Sequence, residues 1–171
     1  HQQIEKALAQ IELSFEFNPT RGASDIILNG ENVESKIREL AVASRVSEVA
    51  AIPLVRQFAV QQQQRLGKNK GIVMDGRDIG TVVFPEAELK IFMTASKEIR
   101  VKRRFQELVQ KDAAITIDEV RENVEQRDHM DSNRKESPLR QAKDARVLDN
   151  TNLTEQQQFE LALGWAKDTI A

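Results

Sequence analysis

The 171 residues suffice for one domain with a real core and a small inserted lobe. With 27 acidic against 25 basic residues the formal net charge is −2, which gives no support to broad nucleic-acid or membrane-surface binding. The lack of cysteine excludes a disulfide framework and a thiolate metal site, and it fits a reducing cytosol. No apolar stretch approaches a membrane span, and the opening residues His1 to Lys6 lack signal-peptide character. The chain starts on a residue other than methionine and in mid-helix pattern, which reads as part of a longer protein.

Ile4, Leu8 and Ile11 recur at helical spacing, predicting the tail of an amphipathic helix. The period then changes to two. Leu13, Phe15 and Phe17 alternate with polar residues as a half-buried strand does, and Asp25 to Leu28 forms a second strand. Asn29-Gly30 is a strong hairpin signal because both positions tolerate positive φ, and Glu31-Asn32-Val33 starts a third strand. Residues 11–35 thus read as an antiparallel meander, either a substrate lobe or a decorated edge.

From Ser35 the pattern is helical, with Ile37, Leu40 and Ala41 on one side. A further helix opens at Pro53, a residue suited to the first turn, with Leu54, Val55, Phe58 and Ala59 as its apolar stripe. Arg56 lies in that first turn, where a cation opposes the helix dipole. An anionic or hydrogen-bonding ligand could offset this, or Arg56 is simply solvated.

Ile72 to Met74 has the length of one buried strand, and it runs out into Asp75-Gly76-Arg77-Asp78-Ile79-Gly80. Ligands of parallel α/β sheets bind at the carboxyl ends of strands, so fixed charges of both signs there suggest a site; a polar surface turn is the plain alternative. Leu89 to Met93 reads as another short strand. Ser96 then caps a helix carrying Arg100, Lys102, Arg103 and Arg104, a basic face that solvent alone could explain. Beyond the polar connection 110–114, Thr116 and Glu119 form a capping box, with Ile115 and Val120 as its staple. Val120, Val124, Arg127, Asp131 and Arg134 share one stripe of this next helix. The stripe is apolar first and charged last, as in a helix leaving a core for a polar cleft, or as in an ordinary surface ion pair. His129 lies off the stripe and reads as a surface residue. Ser137-Pro138 breaks the helix, Ala145 to Asp149 is a strand ending in an acid, and Thr154 with Gln157 caps the last helix. Phe159, Leu163, Ala166 and Ile170 are its expected core face, with Trp165 nearby.

Strands alternate with helices, two strand ends carry acids, and Arg56, Arg77, Arg103, Arg127 and Arg134 sit on separate elements that could converge on one sheet edge. Arginine forks bind phosphate and stay charged at any working pH. Phosphoryl transfer requires mainly positioning and charge neutralisation, with Mg²⁺ held at an aspartate through water. No His/Cys metal cluster, nucleophile elbow or dinucleotide loop is present. The donor-phosphate loop G-x-x-x-x-G-K-[ST] is also missing; Gly67-Lys68-Asn69-Lys70, the nearest run, lacks its earlier glycine and its hydroxyl.

Asp75-Gly76-Arg77-Asp78-Ile79-Gly80-Thr81-Val82-Val83-Phe84-Pro85, then Lys90-Ile91-Phe92, then Arg127-Asp128 with Asp131-Ser132-Asn133-Arg134, resembles the bacterial cytidylate kinases. The hairpin lobe, Ser47 with Arg56, and Val147-Leu148-Asp149 fit as well, so the resemblance covers essentially the whole chain. Other nucleoside monophosphate kinases usually read Asp-Gly-Phe-Pro-Arg at the first of these turns. The resemblance implies an α/β fold: a three-layer P-loop-type kinase with a parallel sheet, its N-terminal strand and P-loop missing here, plus a small antiparallel β insert. Residues 1–10 and 36–171 would form the core, with a lid at about 105–134. Residues 11–35 would be the β-rich part of the monophosphate-binding insert, continuing into helices at about 36–50.

The resemblance further implies phosphorylation of CMP or dCMP by ATP with Mg²⁺. Ser47, Arg56 and Asp78 would read the cytosine, Asp78 accepting from its amine. Uracil, whose carbonyl there would leave the carboxylate unpaired, would be excluded. Arg77 would hold the monophosphate, Arg127 and Asp131 the sugar and phosphate, and Arg134 the phosphates during transfer. Arg103 would reach the ATP side, and Asp75 would position Mg²⁺ through water. Ser132 departs from relatives that often carry arginine there. The expected partners are CMP or dCMP, ATP and the N-terminal segment of the same enzyme, in a cytoplasmic monomer binding neither nucleic acid nor membrane. Without its P-loop the chain is expected to be inactive. The alternatives are a non-catalytic nucleotide-binding module and an interaction domain with an arginine-rich surface.

Overall fold

The computed structural model describes residues 2–50, 52–110, 113–134 and 137–170, with the backbone alone at residues 40, 43, 44 and 47. The chain divides into two compact units, residues 1–72 and 73–171. Among the described residues no helix is long and apolar enough to cross a membrane.

In the first unit, helix α1 (Gln2–Leu8) precedes a three-stranded antiparallel sheet of β1 (Leu13–Asn18), β2 (Ala23–Leu28) and β3 (Glu31–Asn32). Phe15 pairs with Ile26 and Glu16 with Asp25, so the period-two pattern sets the register. Asn29 and Gly30 take φ of 50° and 81°, the left-handed pair that a tight hairpin needs. A short 3₁₀ turn at Lys36–Arg38 leads into α2 (Leu40–Ala50), and Pro53 opens α3 (Pro53–Gly67). The helical pattern expected from Ser35 is thus interrupted at Glu39, whose backbone is extended.

The junction of the two units falls within a stretch that departs from expectation. Ile72 to Met74 is not a strand: no neighbouring strand offers it a ladder among the described residues, and Val73 is 103% exposed. A single extended run cannot satisfy its own backbone groups, so an apolar triplet without a partner stays irregular. Beyond it, a wide helical turn over Ile79–Val83 closes with the Phe84 N–H donating to the Ile79 carbonyl at 2.7 Å. Strands β4 (Ile91–Thr94) and β5 (Arg146–Asp149) pair in parallel, Met93 opposite Leu148. Between them in sequence lie α4 (Lys97–Val109) and α5 (Ile117–Asn133); α6 (Glu155–Ile170) follows β5.

The core of this unit is small: Val83, Val101, Val120 and Leu148 are buried. Ser96 accepts from the Ile99 N–H to start α4, Thr116 and Glu119 close their capping box on α5, and Thr154 and Gln157 exchange the same two bonds before α6. The stripe expected to be core on α6 is not. Phe159, Leu163 and Ile170 are exposed at 60%, 37% and 85%, because a sheet of two short strands is too narrow to cover a 16-residue helix. The side that does pack brings Trp165 beneath the Arg146 guanidinium, 5.7 Å from the ring centre.

Candidate functional site

The loop from Asp75 to Gly80 is shaped by two glycines. A Cβ on Gly76 would meet Ile79 Cγ1 at 2.9 Å, and one on Gly80 would meet the Lys90 stem at 3.3 Å. Lys90 is buried, its ammonium held by the Pro85 carbonyl and by Asp144 at 2.7 Å. That bond holds the Asp144 carboxyl below the usual carboxylate range. The loop therefore rests on a charged pillar, and the side chains it presents are fixed by backbone close approach.

Arg77 leaves this loop and its Nε donates to Asp131 Oδ2 on α5 at 2.7 Å. Asp131 is also approached by Arg127 Nε at 4.0 Å and by Arg134 Nη1 at 3.9 Å. Three guanidinium groups thus surround one carboxylate. Arg127 and Asp131 lie one turn apart on α5, and Arg134 is the first residue past its end, where the backbone turns extended and its Nε donates to the Ser137 carbonyl. Asp78 sits half-buried at the start of the Ile79–Val83 turn, its carbonyl accepting the Val82 N–H at 2.8 Å.

The other expected residues are distributed as follows. Asp75 is exposed at the head of the loop. No three His, Cys, Asp or Glu side chains cluster to hold a metal among the described residues. A lone carboxylate suits Mg²⁺, which keeps most of its waters and binds chiefly through phosphates. Arg103 donates to Asn150 Oδ1 at 2.8 Å and to the Asn150 carbonyl at 2.7 Å, fixing α4 to the end of β5. The given sequence has no G-x-x-x-x-G-K-[ST] run. Asp149 is turned to its own loop: the Thr151 hydroxyl and N–H hold its carboxyl below the usual range. His129 is exposed beside Asn133. Arg56 belongs to the first unit, half-buried in the first turn of α3. The side chains of Ser47 and Leu40, and Lys111 and Asp112 of the 110–114 connection, lie outside the described residues.

Sequence reasoning missed a second charged cluster. In the meander, Asp25 is buried and accepts from Asn18 Nδ2 at 2.9 Å, Asn32 Nδ2 at 3.0 Å and Arg21 Nη1 at 2.7 Å. Glu34 is buried too, accepting from Arg38 at 2.6 Å and approached by Arg21 at 3.2 Å. The signal was available in Asp25, an acid set among the apolar residues of an inward strand face. It also missed Asn150, whose amide further donates to Gln158 at 2.7 Å.

Comparison with known proteins gives the chain a family. A family model described as cytidylate kinase matches residues 1–168. A cytidylate kinase of Bacteroides thetaiotaomicron is 54% identical over 159 residues, covering 93% of this chain and 69% of the relative. That of Flavobacterium psychrophilum is 53% identical over 158 residues, covering 92% and 70%, and that of Flavobacterium johnsoniae 51% over 165 residues, covering 96% and 72%. With the model match running through nearly all of its length, the chain belongs to the cytidylate kinase family.

Proposed function

We propose that this chain supplies the acceptor side of a kinase that moves the terminal phosphoryl group of ATP onto CMP or dCMP, giving ADP and CDP or dCDP. The observation that carries the reading is the charge around Asp131. Arg77, Arg127 and Arg134 bring three guanidinium groups from two stretches of chain to within 4.0 Å of one carboxylate. A phosphate monoester carries about −1.5 to −2 at neutral pH, so it competes well with that single carboxylate for the three forks. On binding, the Arg77 fork exchanges Asp131 for the monophosphate, with Asp131 and Arg127 then meeting the sugar. Arg134 neutralises charge that develops on the transferring oxygens. Asp78 accepts from the cytosine amine and leaves uracil with an unpaired partner; Ser47 and Arg56 are the further base readers that the family resemblance implies. Asp75 would hold Mg²⁺ through water, and the ion would supply neutralisation of phosphate charge. The β meander serves as the β-rich part of the monophosphate-binding insert and residues about 105–134 as the lid.

Because the sequence contains no P-loop motif, these 171 residues on their own bind the acceptor without turning it over at an appreciable rate. Thermal shift with CMP, UMP, AMP and ATP tests the reading. Selective stabilisation by CMP is the expected result; equal shifts with all four would reduce the cluster to a generic anion patch. An assay for ATP-dependent CDP formation by the same chain should find none, and measurable turnover would overturn that part.

A further inference from the structure

Helix α5 carries carboxylates at Glu125, Asp128 and Asp131, one every three residues. Each such step turns about 60° around the helix axis, so the row winds from one neighbour to the next. Glu125 meets Lys97 at 2.6 Å and Asp128 meets Arg100 at 2.5 Å, both cations on α4. Asp131 has rotated away from α4 and meets Arg77 at 2.7 Å. Val101 on α4 and Val120 on α5 are the buried residues of the pair. Val120 lies in the first turn of α5, and in the turns beyond it, which lead to the arginine cluster, Glu125 and Asp128 tie the helix to α4.

Arg100 is held at both edges. Its Nε donates to the Ala95 carbonyl at 3.2 Å, just past the end of β4, while its Nη1 reaches Asp128. The same turn is tied to β5, since the Ser96 N–H donates to Thr151 Oγ1 at 2.8 Å and that hydroxyl donates to Asp149 at 2.6 Å. One guanidinium therefore spans from the strand ends to the helix that bears Arg127, Asp131 and Arg134.

We propose that Arg100 and Asp128 are a positioning pair: they set the rotation of α5 that brings Arg127, Asp131 and Arg134 to Arg77. The proposal rests on the reading of that cluster as a phosphate clasp. Asp128 contributes nothing to the nucleotide directly; it fixes the frame in which the arginines meet it. Its side chain is 44% exposed, so Asp128→Asn removes the charge without opening a buried void.

Calorimetric titration with CMP and with cytidine gives, as the dissociation constant of cytidine divided by that of CMP, the share of affinity due to the phosphate. Asp128→Asn should lower that ratio about threefold, the scale of a partly exposed ion pair, and Asp128→Glu should restore it. Hydrogen exchange of amides 128–134 should quicken in Asp128→Asn while amides 117–124 stay as they are. A ratio unchanged in Asp128→Asn, or unchanged exchange at 128–134, would overturn the proposal. So would failure of Asp128→Glu to restore the ratio. A wild-type chain that binds CMP no better than cytidine would instead overturn the phosphate-clasp reading itself.

Discussion

The molecule holds two clusters of arginine and carboxylate that are built to opposite accounts. In the β meander, Asp25 and Glu34 face Arg21 and Arg38, two charges against two, and Asn18 and Asn32 complete the acceptor valences of Asp25. At the end of α5, three arginines converge on Asp131. Buried charges are stable where they are matched and hydrogen-bonded. The meander cluster is therefore complete as it stands and works as a clamp between β2, β3 and the turn after them. In the α5 cluster Arg127 and Arg134 stand 4.0 and 3.9 Å from Asp131, beyond hydrogen-bond distance, a looser fit that suits closure on an anionic ligand. Proximity of arginine to acid says little about role; the geometry between them says more.

The comparison breaks most visibly by removing one arginine from each side. Arg77→Ala should weaken CMP binding by about 10- to 100-fold, the range for losing a hydrogen bond to a charged group. Arg21→Ala should lower the melting temperature and leave CMP affinity within about twofold, as expected for a residue outside the clasp. Titration calorimetry and thermal melts on the two variants read both effects. If Arg21→Ala weakened CMP binding as much as Arg77→Ala, the division into clamp and clasp would fail.

A smaller effect sharpens the ligand. Asp78→Asn should reduce the preference for CMP over UMP by about tenfold, because an amide can donate to the uracil carbonyl where a carboxylate cannot. The ratio of the two dissociation constants measures it, and an unchanged ratio would remove Asp78 from base reading.

Next comes pH. Asn18, Asn32 and Arg21 hold the Asp25 carboxyl below its ordinary range, and Arg38 and Arg21 do the same for Glu34. The folded meander thus binds fewer protons than the unfolded chain across the carboxylate range. Its stabilisation is complete above the ordinary carboxylate values and is lost as pH falls through the lowered ones. Protection factors of amides 23–34, which correct for the slower intrinsic exchange at low pH, should fall on acidification, and fall less in Asp25→Asn, which has no proton to take up. An acid response identical in the variant would dissociate the clamp from Asp25. Smallest of all, Gly30→Ala should cost about 1–2 kcal/mol, since φ of 81° is strained for a side chain; chemical denaturation reads it.

Much of this was legible from residue order, for identifiable reasons. Local rules acted where partners are near in sequence: Asn29-Gly30 made its hairpin, and the Thr116–Glu119 and Thr154–Gln157 boxes closed. The stripe Val120, Val124, Arg127, Asp131, Arg134 held because helical geometry carries it from buried Val120 to Asp131 without outside help. Failures came where burial depends on a distant surface. Ile72 to Met74 is apolar enough for a strand, yet a strand exists only with a ladder to join, and Phe159 and Ile170 are apolar enough for a core that the β4–β5 pair is too narrow to provide. The Arg100–Asp128 bond was readable in principle, as basic residues three apart on one helix and acidic residues three apart on the next.

The central claim is that the three arginines around Asp131 take up the phosphate of a cytidine nucleotide. Nitrogen-15 resonances of arginine side chains, followed while CMP and then cytidine are titrated into the chain, test it most directly. The Nε signals of Arg77, Arg127 and Arg134 should move with CMP and stay nearly still with cytidine, while those of Arg21 and Arg38 move with neither. Signals of Arg77, Arg127 and Arg134 that ignore CMP, or respond equally to cytidine, would contradict the account.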